Sequence, residues 1–205
     1  MNARLCALVL AAGQGTRVGG PKALLLVDDV PLALAHVRAR LADCARVVVV
    51  ARAPVVDLLS SGAAWFVRSD EDERHGPAGS IRAAVVAGAL DDVDRVLITP
   101  VDVAPASSAT VATLLAALTA GAAAASFVHG HPIAIDASIV RARYRTAAAP
   151  PILRDVLADL GAACARLPAP FALPRPLDRV EDVERATGAP PRFHSGPSPH
   201  GDTTR

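Results

Sequence analysis

The most concentrated chemistry in the chain lies in one glycine-rich stretch, Gly13-Gln14-Gly15-Thr16-Arg17-Val18-Gly19-Gly20-Pro21-Lys22. Small residues let backbone N–H groups come close to an anion, and Arg17 and Lys22 supply the opposite charge. Lys22 is the one lysine among the 21 Lys and Arg residues. A chain that otherwise writes positive charge as guanidinium, yet sets a compact ammonium at the end of a glycine loop, points to a phosphate met there by a point charge. The loop follows an apolar run, Leu5 to Leu10, and open parallel sheets bind ligands beyond the carboxyl ends of their strands. The spacing predicts a polyphosphate cradle.

Two familiar cradles do not fit. A P-loop needs a hydroxyl directly after its lysine to reach magnesium, and here Ala23 stands there. A dinucleotide fingerprint needs its three glycines to open straight into a helix. Gly13, Gly15 and Gly19 are one residue out of register, Pro21 interrupts, and the second strand ends at Ala51-Arg52 with no acid for a ribose. An NAD(P)-dependent oxidoreductase is disfavoured on these grounds.

The elements that must hold this loop alternate almost to the end of the chain. Apolar runs at 5–10, 46–51, 64–67, 94–99, 122–128, 132–135 and 163–167 read as strands. Between them, helical spacing predicts helices over 31–41, from Pro54 to about Gly62, over 79–90 with Ser80 as cap, from Ser107 or Ser108 to Leu118, and over 138–144, 151–160 and 180–186. Continuous apolar strands alternating with helices predict an α/β fold: a Rossmann-like, doubly wound, mostly parallel sheet with helices on both faces, in three layers. Residues 1–188 form one domain in this reading, and the Pro, Gly and Ser of 189–205 predict a disordered tail.

Composition narrows the function classes. The 205 residues are 52% hydrophobic and 20% charged, enough for a substantial core. Lys and Arg number 21 against 20 Asp and Glu, too balanced for a protein whose main partner is nucleic acid. Aromatic content of 3% argues against base-stacking platforms. Cys6, Cys44 and Cys164 are scattered in apolar runs and read as free thiols of a reducing compartment. Trp65 reads as core. No apolar window reaches membrane-spanning length, and no secretory pattern precedes the first strand, so a soluble, cytoplasmic protein is expected. His129 and His131 lack a third partner for a metal site.

The stretch Leu10-Ala11-Ala12-Gly13-Gln14-Gly15-Thr16-Arg17-Val18-Gly19-Gly20-Pro21-Lys22-Ala23-Leu24-Leu25 resembles LAAGxGxRxGxPKxLL. That is the signature of the nucleotidyltransferase family that includes the molybdenum-cofactor guanylyl- and cytidylyltransferases and, more distantly, the sugar-phosphate and methylerythritol-phosphate enzymes. Three further segments are similar: Gly76-Pro77-Ala78-Gly79-Ser80-Ile81-Arg82 to the second loop, Val96 to Asp102 to the strand ending in a metal-binding aspartate, and Gly130-His131-Pro132 to the GHP of the cytidylyl branch. Leu177-Asp178-Arg179-Val180-Glu181-Asp182 resembles the closing D(T/x)PEDL element. Proline follows Asp102 only at Pro105, and Pro176 stands where the family often has a second acid.

The resemblance implies a nucleotide-diphospho-sugar transferase type of fold and a magnesium-dependent transfer of a nucleoside monophosphate from a nucleoside triphosphate. The receiving group would be a small phosphorylated acceptor such as molybdopterin, with release of pyrophosphate. The side chain of Ala12, in place of a second glycine, leans the base choice to CTP over GTP. Leu10, Ala11, Ala12, Gly13, Gly15, Thr16, Arg17 and Lys22 would surround the nucleotide, with Gly79 and Ser80 from the second loop. Arg17, Lys22 and Asp102 would serve the chemistry, Asp102 and Asp178 the Mg2+, and Arg82 and His131 the second substrate.

Each assignment has a plainer counterpart. Gly13, Gly15 and Thr16 also fit an ordinary strand–helix turn, Arg17 and Arg82 a solvated surface, and His131 a structural position. Asp102 also fits the first turn of a following helix, and Ser80 and Asp178 fit helix caps. A nucleotide-binding module without turnover is the rival from another class.

Overall fold

The computed structural model describes residues 3–60, 62–69, 72–128, 130–146, 149–168 and 175–195. His129 and residues 196–205, with His200 among them, lie outside the described residues. Strand β1 (Leu5–Leu10) opens the chain, and single 3-10 turns at Thr16–Val18 and Lys22–Leu24 shape the loop after it. A small hairpin follows, β2 (Leu26–Val27) and β3 (Val30–Pro31), then α1 (Leu32–Arg40), β4 (Arg46–Ala51), α2 (Ala53–Leu59) and β5 (Trp65–Arg68). The chain continues through α3 (Asp72–His75), α4 (Pro77–Val86), β6 (Arg95–Pro100), α5 (Ser108–Thr119), β7 (Ala124–Phe127) and β8 (Ile133–Asp136). It closes with α6 (Ala137–Tyr144), α7 (Leu153–Asp159), β9 (Cys164–Leu167) and α8 (Val180–Thr187).

Seven strands form one sheet in the order β5-β4-β1-β6-β8-β7-β9. β5, β4, β1 and β6 run parallel, β8 is antiparallel to both its neighbours, and β7 and β9 are parallel to each other. Side chains alternate across the strands, so successive residues of β1 feed opposite layers. Cys6 and Leu8 pack with Ile81 and Val85 of α4 and Val140 and Tyr144 of α6. Ala7 and Val9 pack with Leu32 and Val37 of α1, Val55 and Val56 of α2 and Val183 of α8. Leu97 and Ala134 pack with Leu114 and Leu118 of α5. The expected three-layer α/β architecture, helices on both faces of a mostly parallel sheet, is present.

Several local expectations are corrected. Helix α4 starts at Pro77, not Gly79, because Gly76 turns the chain at φ 53° and proline's fixed φ suits the first helical position. Ser80 is therefore fully buried inside the helix and is not its cap. Ser107 does cap α5, accepting from the Thr110 N–H at 3.1 Å. Trp65 is 41% exposed because β5 is the edge strand, and the Arg46 guanidinium lies 5.2 Å from its ring centre. The β2–β3 hairpin has no counterpart in the apolar pattern; Asp28 and Asp29 both adopt positive φ, as a tight two-residue turn requires. Order also continues past Gly188. The Leu26 N–H donates to Arg192 O at 2.8 Å, the His194 N–H donates to Leu24 O at 2.8 Å, and Phe193 packs against the α1 side of the core. Proline-rich composition hides a segment held by its partners and not by its own propensity.

Helix α1 does more than cover the sheet. His36 Nε2 donates to Val103 O at 2.8 Å, and Arg40, one turn on, donates to Ala106 O, so the loop after β6 hangs from two buried side chains. Burial pushes the His36 pKa down from 6.5 to about 4. The unfolded chain thus binds a proton near pH 6.5 that the folded chain resists until about 4. Stability is full above that interval and falls as pH drops through it, by on the order of 3 kcal/mol for this group. Urea midpoints should decline between pH 7 and 4, and His36→Gln, which keeps an N–H for Val103 but does not titrate, should show a shallower decline.

Candidate active site

The carboxyl ends of the parallel strands meet in one cleft of about 620 Å³. β1 contributes Leu10, Arg52 follows β4, Ser69 follows β5, and β6 ends at Pro100 with Val101 and Asp102 beyond. Backbone hydrogen bonds lock these ends side by side. The Ala11 N–H donates to Val50 O at 2.8 Å and the Val101 N–H to Leu10 O at 3.0 Å. The glycine loop forms the roof, with Ala12, Gly13, Gly15, Thr16, Arg17 and Lys22 all lining the cleft, and α4 presents Ser80 from the floor.

The loop's shape is fixed by Gly15. At φ 63° its carbonyl receives the Val18 and Gly20 N–H groups at 3.0 and 3.2 Å, and a side chain there would put its Cβ 1.9 Å from Gly20 O. Gly13, by contrast, has open space around the position a Cβ would take. That leaves room for a ligand at the amino end of the loop. Ala11 and Gly79, expected around the nucleotide, are buried and do not line the cleft.

At the other end of the cleft, Lys22 Nζ donates to Asp178 Oδ1 at 2.6 Å and to Asp102 Oδ2 at 3.2 Å. The Leu177 N–H donates to the Asp102 carbonyl at 2.7 Å, so the backbone itself sets Asp178 beside Asp102. Neither acid serves the plainer role. The helix after Asp102 begins only at Ser108, and α8 is capped by Asp182, whose Oδ2 accepts the Arg179 N–H at 3.1 Å. Lys22 is 16% exposed in its side chain, Asp102 28% and Asp178 48%. The cluster therefore opens toward solvent on the Asp178 side, where a second molecule can arrive.

Two carboxylates converging on one point suit a hard divalent cation. Magnesium is commonly held by one or two carboxylates, with substrate phosphate oxygens and water completing its octahedron. Among the described residues no group of three or more His, Cys, Asp or Glu forms a self-sufficient metal cage. The donor set fits a cation that arrives with a phosphate.

Arg82 and His131 do not line the cleft. His131 stands close enough to Asp102 for that carboxylate to oppose the lowering of its pKa by burial, and its Nδ1 has no hydrogen-bond partner among the described residues. Sequence reasoning passes over Arg52 and Ser69, which enter only because the sheet brings the ends of β4 and β5 beside the loop. Ser69 is 3% exposed and its Oγ has no hydrogen-bond partner among the described residues. A buried hydroxyl left unpaired is costly, and one facing a cleft is satisfied when a ligand pairs with it.

Residues 7–170 match the MobA-like NTP transferase domain. The chain belongs to that family. It is a nucleotidyltransferase of the NTP transferase class, and its solved structural neighbours carry the same fold. The manganese complex of Rv0371c from Mycobacterium tuberculosis H37Rv superposes with a TM-score of 0.67 at 17% identity, covering 91% of this chain and 99% of that one. A nucleotidyl transferase from Methanothermobacter thermautotrophicus gives 0.69 at 21% identity, over 91% and 97%. The 2-C-methyl-D-erythritol 4-phosphate cytidylyltransferase from Thermus thermophilus gives 0.63 at 19%, over 92% and 98%. A sequence comparison with curated proteins gives no match. No helix among the described residues is long and apolar enough to cross a membrane.

The two loop glycines should separate by substitution. Gly15→Ala meets both backbone strain and an overlap with Gly20 O, and should lose about 2 kcal/mol or more in a denaturant melt. Gly13→Ala should melt within about 0.5 kcal/mol of the wild-type transferase.

Proposed function

We propose that this transferase moves a cytidylyl group from CTP, with GTP as the second choice, to a small phosphorylated acceptor such as a pterin cofactor, and releases pyrophosphate with the help of Mg2+. The observation that carries the reading is the placement of the chain's one lysine, at the end of a glycine roof, between two carboxylates that open to solvent.

The reaction joins an acceptor phosphate oxygen to the α-phosphorus and breaks the bond to the β-phosphate oxygen. Such transfers depend on alignment and on neutralising charge, with no covalent intermediate needed. Backbone N–H groups of Gly13, Gly15 and Thr16, with the Arg17 fork, would hold the β- and γ-phosphates. Lys22 would meet the α-phosphate, where charge shifts most in the transition state. Asp102 and Asp178 would hold the divalent cation, which when bound neutralises phosphate charge and fixes the triphosphate's geometry. Gly79 and Ser80 would support the ribose and base from α4, and Ala12, its side chain on the cleft wall, would favour a pyrimidine over a purine. Ser69 and Arg52 offer a hydroxyl and a guanidinium to the polar edge of a base. His131, held toward its neutral form by burial, and Arg82 would act on the acceptor side.

The manganese complex of the mycobacterial neighbour supports a divalent-cation requirement by analogy of fold. A second reading, a binding module without turnover, is favoured by one feature: Lys22 itself occupies the point on which the two carboxylates converge.

Thermal-shift measurements with CTP, GTP, ATP and UTP, each with and without Mg2+, test both readings. The transferase reading expects the largest, Mg2+-dependent rise with CTP, since a ligand of the folded state alone raises its midpoint by mass action. A rise indifferent to Mg2+ favours the binding module, and no rise with any triphosphate removes both. Lys22→Ala should lower turnover at least about a hundredfold while weakening CTP binding less than tenfold, if its charge acts chiefly in the transition state. Equal losses in both would assign Lys22 to binding.

A further inference from the structure

We propose that the carboxyl-terminal segment Ala189 to His194 is a working part of the nucleotide loop, and that Phe193 is a positioning residue for Lys22. The segment pairs as an antiparallel strap with residues 24–26, directly after the loop, with Phe193 bridged to Leu25 and one backbone hydrogen bond on either side, Leu26 N–H to Arg192 O and His194 N–H to Leu24 O. Arg192 adds an ion pair to Asp29 at 2.7 Å, tying the strap to the hairpin that follows the loop.

The ring of Phe193 does the rest. A Cβ built on Gly20 would lie 3.1 to 3.3 Å from three of its ring atoms, so the ring rests against the Gly20 backbone. Gly20 is the residue whose N–H closes on Gly15 O, and Pro21 and Lys22 follow it directly. The turn that leads into Lys22 is therefore held by the Gly15 carbonyl and contacted by the Phe193 ring. The same carboxyl-terminal stretch carries Asp178 just before α8, and α8 ends at Gly188, whose φ of 71° turns the chain back under the loop. One continuous piece, residues 177–194, makes two contacts with this part of the loop: a carboxylate on the Lys22 ammonium and an aromatic ring against Gly20, two residues before Lys22.

The inference rests on the proposed nucleotide site only for its binding readout. The loop itself can be read without ligand, because Arg17 is exposed on it and offers trypsin a bond. In the full chain, Phe193→Ala should raise the rate of cleavage after Arg17, followed by mass spectrometry, at least about tenfold, and Phe193→Leu, which refills part of the space, should retain most of the wild-type protection. CTP affinity in the presence of Mg2+ should fall about tenfold in Phe193→Ala and recover in Phe193→Leu. Gly20→Ala approaches the same contact from the loop side. It should loosen the loop when Phe193 is present and add nothing further in the Phe193→Ala background, the non-additivity expected of touching residues.

Unchanged cleavage after Arg17 in both Phe193→Ala and Gly20→Ala, or effects of the two that simply add, would overturn the proposal. If the wild-type protein binds no triphosphate, the functional reading falls, while the cleavage rates still decide whether the strap holds the loop.

Discussion

Three charges from remote parts of the sequence share one point in space, the Lys22 ammonium between the carboxylates of Asp102 and Asp178. Like charges this close are mutually unfavourable unless a cation stands between them. The fold must therefore deliver all three together, and the carboxyl edge of the sheet is where it does so. β1 leads into the loop that carries Lys22, β6 runs beside β1 and delivers Asp102, and the Leu177 N–H grips the Asp102 carbonyl to bring Asp178 alongside. A cluster whose members are only partly buried also stays exchangeable, since each can give up its partner to a phosphate or a metal ion without stranding a charge in the core.

The supports of this point are unequal in kind. Beneath Asp102 they are side chains, with His36 and Arg40 of α1 holding the carbonyls of the following loop. Around Lys22 they are mostly backbone, the Gly15 turn within the loop and the strap hydrogen bonds outside it, with the Phe193 ring against Gly20 as the side-chain contribution. Val18 is the loop's one buried side chain, and the rest of the loop's order comes from backbone hydrogen bonds and from its neighbours. Preorganisation of this sort lets charged groups stabilise a transition state without first being reoriented.

The sheet can be read from the sequence because its central strands are apolar on both faces. The readings 5–10 and 46–51 coincide with β1 and β4, and the glycines and lone lysine after the first strand mark the loop that lines the cleft. What escapes are features created by tertiary contact. Ser69 and Arg52 belong to no motif and join the cleft only through strand order. The contact of Lys22 with Asp178 spans most of the chain, and local sequence fits that aspartate to a helix cap as well as to a metal ligand. Ser80 mimics a cap, yet Gly76-Pro77, not the serine, starts α4. The stretch after Gly188 has the composition of a free tail, and nothing local reveals that carbonyl and amide partners on Leu24 and Leu26 wait for it.

The most direct test of the central claim is the binding of Mn2+ followed by its electron paramagnetic resonance signal in the presence of CTP, in the wild-type protein and in Asp102→Asn and Asp178→Asn. The account predicts one ion bound per chain, weakened at least about tenfold by either substitution, in keeping with the loss of a carboxylate ligand. Undiminished binding in both variants would mean that the two carboxylates serve only as partners of Lys22, and that any metal of this transferase is held elsewhere.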